Sequence, residues 1–281
     1  MRYGSLDRFQ TGIAVPVASL RTEHSGGIGE FADLVPFARW AKECKLDLVQ
    51  ILPVQDTGED PSPYGAVSAA ALHPIYLRLD EIEGYEHLRE EVEPTLSALR
   101  ESDRIRFADV LRVKRVTLMR LFDRHEPETL AQELAPWIEA NSWVRAYAVY
   151  RMLRERNLDR PWRQWSTFQD PDPADIDRFW STPSASVLFH AWVQRECDRQ
   201  LSKVSRTLDE LGVRLKGDLP ILLNEDSCDV WLRRNLFDLD GRADAPPDMY
   251  SEFGQNWGFP LYRWEKMADD DYAWWRERLH L

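Results

Sequence analysis

The chain has 281 residues, 43% of them hydrophobic and 30% charged. That balance is globular and excludes collagen-like, low-complexity and disordered classes. With 36 basic and 48 acidic residues the net charge is −12 and there is no basic run, which argues against nucleic acid or an anionic membrane as partner.

In chain order, MRYGSLDRFQTG lacks the apolar core of a signal peptide. No later stretch approaches the roughly 18–20 apolar residues that span a bilayer. Cys44, Cys197 and Cys228 are odd in number, widely spaced and free of any CxxC pair. They suggest neither a disulfide framework nor a zinc site, and the chain is expected to be cytoplasmic.

TGIAVPVASL, residues 11–20, reads as a buried strand. A turn with Gly26, Gly27 and Gly29 follows, then Phe31, Leu34, Ala38 and Ala41 at helical spacing. LDLVQILPV, 46–54, is a continuous apolar run of the kind covered on both faces in parallel sheets. Strand, helix and strand make a βαβ unit. QDTGEDPSPYG, 55–65, is a polar loop directly after the second strand, where α/β folds bind ligands.

From about residue 84 to 182 Arg, Glu, Leu and Trp dominate, and after Gly84 no glycine occurs until Gly212. Helical stripes run through 104–123, 128–140 and 142–156, with prolines punctuating the end. This is read as a helical insertion. A long helix opens at Thr182–Pro183 and closes at Gly212. VRLKGDLPILL, 213–223, is a third buried strand, followed by a helix N-cap cluster around Asp226 and Ser227. Residues 237–262 are turn-rich and aromatic, and a short helix with Trp274 and Trp275 ends the chain. A (β/α)₈ barrel needs roughly 250 residues, yet only three strands are convincing. The expected fold is therefore α/β, a partial (β/α)₈ barrel with a large helical insertion. The segments are 1–83, first β/α units; 84–182, helical insertion; and 183–281, a further strand, a binding loop and a terminal helix.

Several motifs weigh less than they promise. Gly27-Ile-Gly29-Glu-Phe-Ala32 fits a dinucleotide fingerprint. However, Arg21–Ser25 intervene between strand and glycines, so a plain loop into a helix is the better account. Asp238-Leu-Asp240 begins like a calcium loop and fails at Arg242 and Ala243. Asp218, in LKGDLPI at a strand end, is either a structural or a ligand-binding carboxylate. Asp248, after Pro246–Pro247, is either a turn residue or a sugar contact. Trp257, in GQNWGFP, sits in a loop, as suits stacking on the flat face of a sugar. Carboxylates and loop aromatics at strand ends suggest carbohydrate chemistry. A retaining mechanism needs two carboxyl groups about 5–5.5 Å apart, which spacing alone does not locate.

GIGEFADL, LPVQDTGEDPSPYGAVSAAALHPIYL, LKGDLPILLNEDSCDVW, APPDMYSEFGQNWGFPLYRWEKM and DYAWWRERL closely resemble the 4-α-glucanotransferases, the amylomaltase or disproportionating family. The matching blocks run from about residue 12 to the C-terminus, and the helical insertion matches only in character. The resemblance implies a (β/α)₈ barrel that cuts α-1,4-glucans and transfers the piece to the 4-hydroxyl of an acceptor. It implies retention through a covalent intermediate, maltooligosaccharides as partners, and no cofactor or metal. By the same resemblance Tyr64 lines the donor site and Asp218 lies near the sugar of the cleaved bond. Asp248, Gln255 and Trp257 belong to a mobile loop that contacts glucan.

The family's nucleophile lies in an arginine-x-aspartate-histidine block, with its acid/base glutamate and stabilising aspartate further on. The 281 residues contain no such block. The expectation is an N-terminal portion with the catalytic carboxylates beyond Leu281, inactive alone and open at a sheet edge. One rival is a non-catalytic maltooligosaccharide-binding module. Another is a hydrolase that uses Asp218 and a second acid within the chain.

Overall fold

The computed structural model describes residues 9–280. The reading of the first residues as leaderless falls largely on 1–8, outside the described residues. The chain divides into two compact units that interleave along the sequence. Unit 1 takes the chain through Val54, then Leu72–Asn141 and Leu188–Leu219; unit 2 takes Gln55–Ala71, Ser142–Val187 and Pro220–Leu281. The helices of 84–182 are therefore shared between the two.

Unit 1 holds a three-stranded parallel sheet in the order β1 (Gly12–Val15), β2 (Leu48–Ile51), β3 (Arg214–Lys216). Leu48 stands between Gly12 and Arg214 in the register. Helix α1 (Leu34–Glu43) connects β1 to β2 and buries Leu34, Ala38 and Ala41, the stripe seen in the sequence. The expected burial of all three strands needs correction. Only β2 buries residues, Val49 and Ile51, while β1 and β3 alternate between exposed and half-buried. The reason is position, since β2 is central and the others are outer strands. The strands are also shorter than their apolar runs. Pro16 has no N–H for a ladder, and Val17–Ser19 becomes a 3₁₀ turn. Gly217 and Pro220 similarly end β3.

Three helices complete this unit with most of a fourth. They are α2 (Arg89–Glu101), α3 (Phe107–Phe122), α4 (Pro127–Ala140) and, from Leu188 on, α7 (Ala185–Leu211). α2 packs on α3 through Val92, Leu96 and Leu99. The buried face of α3 carries Lys114 among Val110, Leu118 and Leu121. Each fully buried Val or Leu contributes about 1.5–3 kcal/mol.

Unit 2 contains α5 (Trp143–Arg156), α6 (Pro173–Ser181), α8 (Cys228–Leu232), α9 (Trp264–Ala268) and α10 (Ala273–Arg278). Two short antiparallel pairs join them. β4 (Phe237–Asp238) pairs with β7 (Leu261–Tyr262), and β5 (Asp244–Ala245) with β6 (Gln255–Asn256). Tyr150, Trp165 and Trp231 form its aromatic core, with ring centroids 5.5–5.9 Å apart.

Candidate functional site

The loop after β2, residues 55–71, is held by backbone bonds to itself. The Asp56 N–H donates to Ala71 O at 2.8 Å, and the Val67 N–H to Asp56 O at 2.8 Å. It is tied to the segment before α8 by Asn224 N–H to Ala66 O, 3.0 Å, and to the first residue of α8 by Cys228 N–H to Val67 O, 2.8 Å. The Ser227 hydroxyl accepts from Val230 N–H at 3.2 Å and so caps α8, as the sequence predicts. Asp229, in the first turn of α8, accepts from Ala69 N–H at 2.8 Å and from Trp274 Nε1 at 3.1 Å. Two loops that are distant in sequence thus become one wall.

The opposite wall is the hairpin of β5 and β6 and the turn after it. Gly254, at φ 74°, makes this hairpin possible, because a Cβ there would meet Ala245 O at 2.5 Å. Trp257 N–H donates to Ala243 O at 3.0 Å, and Gly258 N–H to Asn256 Oδ1 at 2.8 Å. Between the walls lies a cleft of about 200 Å³ lined by Asp60, Ser62, Gly65, Asn224, Trp257, Gly258 and Phe259. A Cβ at Gly65 would meet Asp60 Oδ2 at 2.5 Å, so a side chain there would displace that carboxylate. The lining offers a carboxylate, a hydroxyl, an amide and an indole face, a set suited to a neutral polyhydroxyl ring.

The residues singled out in the sequence are placed as follows. Trp257 lines the cleft and is 49% exposed. Gln255 Oε1 accepts from Trp257 Nε1 at 3.2 Å, which orients the indole. Tyr64 lies between Ser62 and Gly65 of the lining and is 51% exposed. Asp248 stands exposed at the hairpin tip, where Oδ1 accepts from Tyr250 N–H and Ser251 N–H at 2.8 Å each. That is the turn role. Asp218 belongs to unit 1, two residues past β3, and is half-buried rather than enclosed in a strand. Of these residues Trp257 lines the cleft in unit 2, Gln255 bonds to it, Tyr64 neighbours the lining residues in sequence, and Asp248 sits on the hairpin leading to it. Asp60, Ser62 and Asn224 were missed by the reading of the sequence. The first two adjoin SPY and Asn224 opens NEDS, so proximity to those motifs was the available signal.

The discarded motifs have structural roles. Gly29 packs against the 3₁₀ turn, where a Cβ would meet Val17 O at 1.9 Å. Glu30 and Asp33 carry a buried network instead of a nucleotide. Asp238 accepts from Asp240 and Gly241 N–H, and these bonds hold its carboxyl below the usual range. Among the described residues no group of three His, Cys, Asp or Glu side chains is placed to hold a metal ion. Among them, too, no helix is long and apolar enough to cross a membrane.

The family model of glycoside hydrolase family 77, 4-alpha-glucanotransferase, matches residues 15–281. The 4-alpha-glucanotransferase of Chlamydia pneumoniae is 35% identical over 277 residues, covering 95% of this chain and 52% of its own length. The 4-alpha-glucanotransferase DPE2 of Oryza sativa subsp. japonica is 33% identical, covering 95% of this chain and 30% of its own. The chain spans about half the length of most of the curated relatives it matches. Amylomaltase from Streptococcus agalactiae, solved in complex with acarbose, superposes with a TM-score of 0.82 at 22% identity over 97% of this chain and 57% of that one. Amylomaltase from Corynebacterium glutamicum gives 0.79 at 24%, over 96% and 38%. At these identities the two structures establish the fold alone.

Proposed function

Because the chain belongs to the glycoside hydrolase 77 family of 4-alpha-glucanotransferases, we propose that it supplies the glucan-binding part of such an enzyme. The enzyme transfers segments of α-1,4-glucans to the 4-hydroxyl of acceptor sugars. The observation that carries the reading is the unit 2 cleft, where the SPY loop and the GQNWGFP loop meet around Trp257. Trp257 stacks on a glucose face and Gln255 fixes its indole. Tyr64 borders the donor sugar, and Asp248 shapes the hairpin that closes on glucan. Asp218 contacts the sugar of the cleaved bond. β1 to β3 with α1 form the first units of a (β/α)₈ barrel, and the helices of 84–182 are its insertion. The odd, widely spaced cysteines suit a cytoplasmic location.

The reaction is a retaining double displacement. A carboxylate attacks the anomeric carbon and the C–O bond to the leaving sugar breaks. A carboxylic acid protonates the departing oxygen. The same group then takes the proton from the acceptor 4-hydroxyl as that oxygen displaces the carboxylate. The 281 residues contain no arginine-x-aspartate-histidine block, so they bind and orient glucan without performing these steps. Binding alone leaves the chemical barrier nearly unchanged.

The test is to incubate the purified chain with maltotriose, follow glucose and longer products, and titrate it with maltoheptaose. Binding without turnover is expected. A ladder of longer oligosaccharides would place the nucleophile within these residues, with Asp218→Asn the first variant to make. No affinity in a folded chain would refute the glucan reading.

A further inference from the structure

Tyr147, Tyr150, Arg151 and Arg154 lie at i, i+3, i+4 and i+7 on α5 and so share one face of the helix. The tyrosines are buried, and the arginine side chains are 14% and 20% exposed. Tyr147 OH donates to Asp56 Oδ2 at 2.6 Å, and Arg151 Nη1 lies 3.5 Å from the same oxygen. Asp56 Oδ1 accepts from Gly58 N–H at 2.9 Å. This buried carboxylate therefore sits at the base of the loop that carries Asp60, Ser62 and Tyr64.

One turn further along the face, the arrangement repeats. Tyr150 OH donates to Asp226 O at 2.6 Å, and Arg154 pairs with the Asp226 carboxylate. That carboxylate also accepts from Trp162 N–H at 2.9 Å, and Asp226 N–H donates to Asn224 Oδ1 at 2.9 Å. Burial works most strongly against the charge on Arg151, yet Asp56, Tyr147, Glu155 and Tyr150 together outweigh it and hold the guanidinium above its usual range. A buried charged pair is expensive to break from one side, because the remaining charge is left uncompensated.

We infer that α5 is the positioning element of the cleft. Its Tyr147–Arg151 and Tyr150–Arg154 pairs hold Asp56 and Asp226 and thereby fix, relative to each other, the two loops that form one wall of the cleft. The inference rests on the glucan reading of that cleft. It extends the reading to four positioning residues on α5, within the span that the family model matches.

The experiment compares the full chain with Tyr147→Phe, Tyr150→Phe, their combination and Asp56→Asn. It uses hydrogen exchange read by mass spectrometry and maltoheptaose titration. Tyr147→Phe and Asp56→Asn should speed exchange at 57–67 by about tenfold, and Tyr150→Phe should do so at 222–227. The double variant should loosen both loops and bind maltoheptaose about tenfold more weakly. α5 itself, and all of unit 1, should exchange as in the unmodified chain. Unchanged exchange at both loops overturns the inference. So does a uniform rise across unit 2 with a lowered melting temperature, which would make the face a general stabiliser. Should the unmodified chain fail to bind maltoheptaose, the glucan reading falls, and loop-specific exchange still decides the positioning role. If the double variant does not fold, the two single variants carry the test, because each must release its own loop and spare the other.

Discussion

Lys114 is a charged side chain on the buried face of α3. Its ammonium donates three times, to Glu30 Oε1 at 2.5 Å, Ile75 O at 2.5 Å and Leu77 O at 2.8 Å. Arg78 pairs with both Glu30 and Asp33, and Asp33 also accepts from Thr22 and Ser25 hydroxyls. Burial pushes Lys114 down and Glu30 up, while each partner's charge pulls the other back. The network anchors GIGEFADL, and it explains why this stretch resembles a nucleotide fingerprint without being one. Lys114→Met removes the ammonium, takes its donor from the Ile75 and Leu77 carbonyls, and leaves Glu30 Oε1 with only the Gly26 N–H. It should lower stability by about 3 kcal/mol in urea unfolding. Adding Glu30→Gln to it should recover part of that loss. Equal stability of Lys114→Met and the unmodified chain would show that the network contributes nothing net.

At the scale of elements, α8 is short, so its stability comes from its ends and its packing. Ser227 is fully buried, and its hydroxyl is the N-cap. Ser227→Ala should cost about 1 kcal/mol in urea unfolding. It should also loosen the hold of Asp229 on Ala69, visible as faster exchange at 68–71. The cap was legible because NEDS precedes an apolar run. The helices α1, α3, α4, α5 and α7 were legible for a similar local reason, a 3.6-residue period over ten or more residues. α2 was missed because Pro94 interrupts REEVEPTLSALRE. The strands were read too long because an apolar run marks burial and not pairing, and Pro16 and Pro220 ended them early. Within the site, turn-rich loops pointed to Tyr64, Gln255 and Trp257. Asn224 and the α5 face escaped because their contacts, Asn224 with Ala66 and α5 with Asp56 and Asp226, join residues far apart in the chain. No local pattern records such pairings.

At the scale of the whole molecule, the sheet of unit 1 has one central strand and two outer ones, and all pairings are parallel. In a parallel ladder alternate residues direct their N–H groups to opposite sides. Arg214 N–H donates to Asp47 O at 2.9 Å, so Arg214 and Lys216 face β2 and the Leu215 N–H faces the other side. Among the described residues no strand pairs with β3 on that side. An outer parallel strand that is short and half-exposed is the least protected part of such a sheet. In the 281-residue chain, the Leu215 amide should therefore exchange at least about tenfold faster than those of Arg214 and Lys216, read residue by residue by NMR. Protection of Leu215 equal to its neighbours would mean that this side of β3 is already paired, by a second copy or by residues outside the sheet. The expected openness of the sheet would then be wrong. Slow exchange at Val49 and Ile51 in the same experiment fixes the scale, because β2 is bonded on both sides and buries both residues.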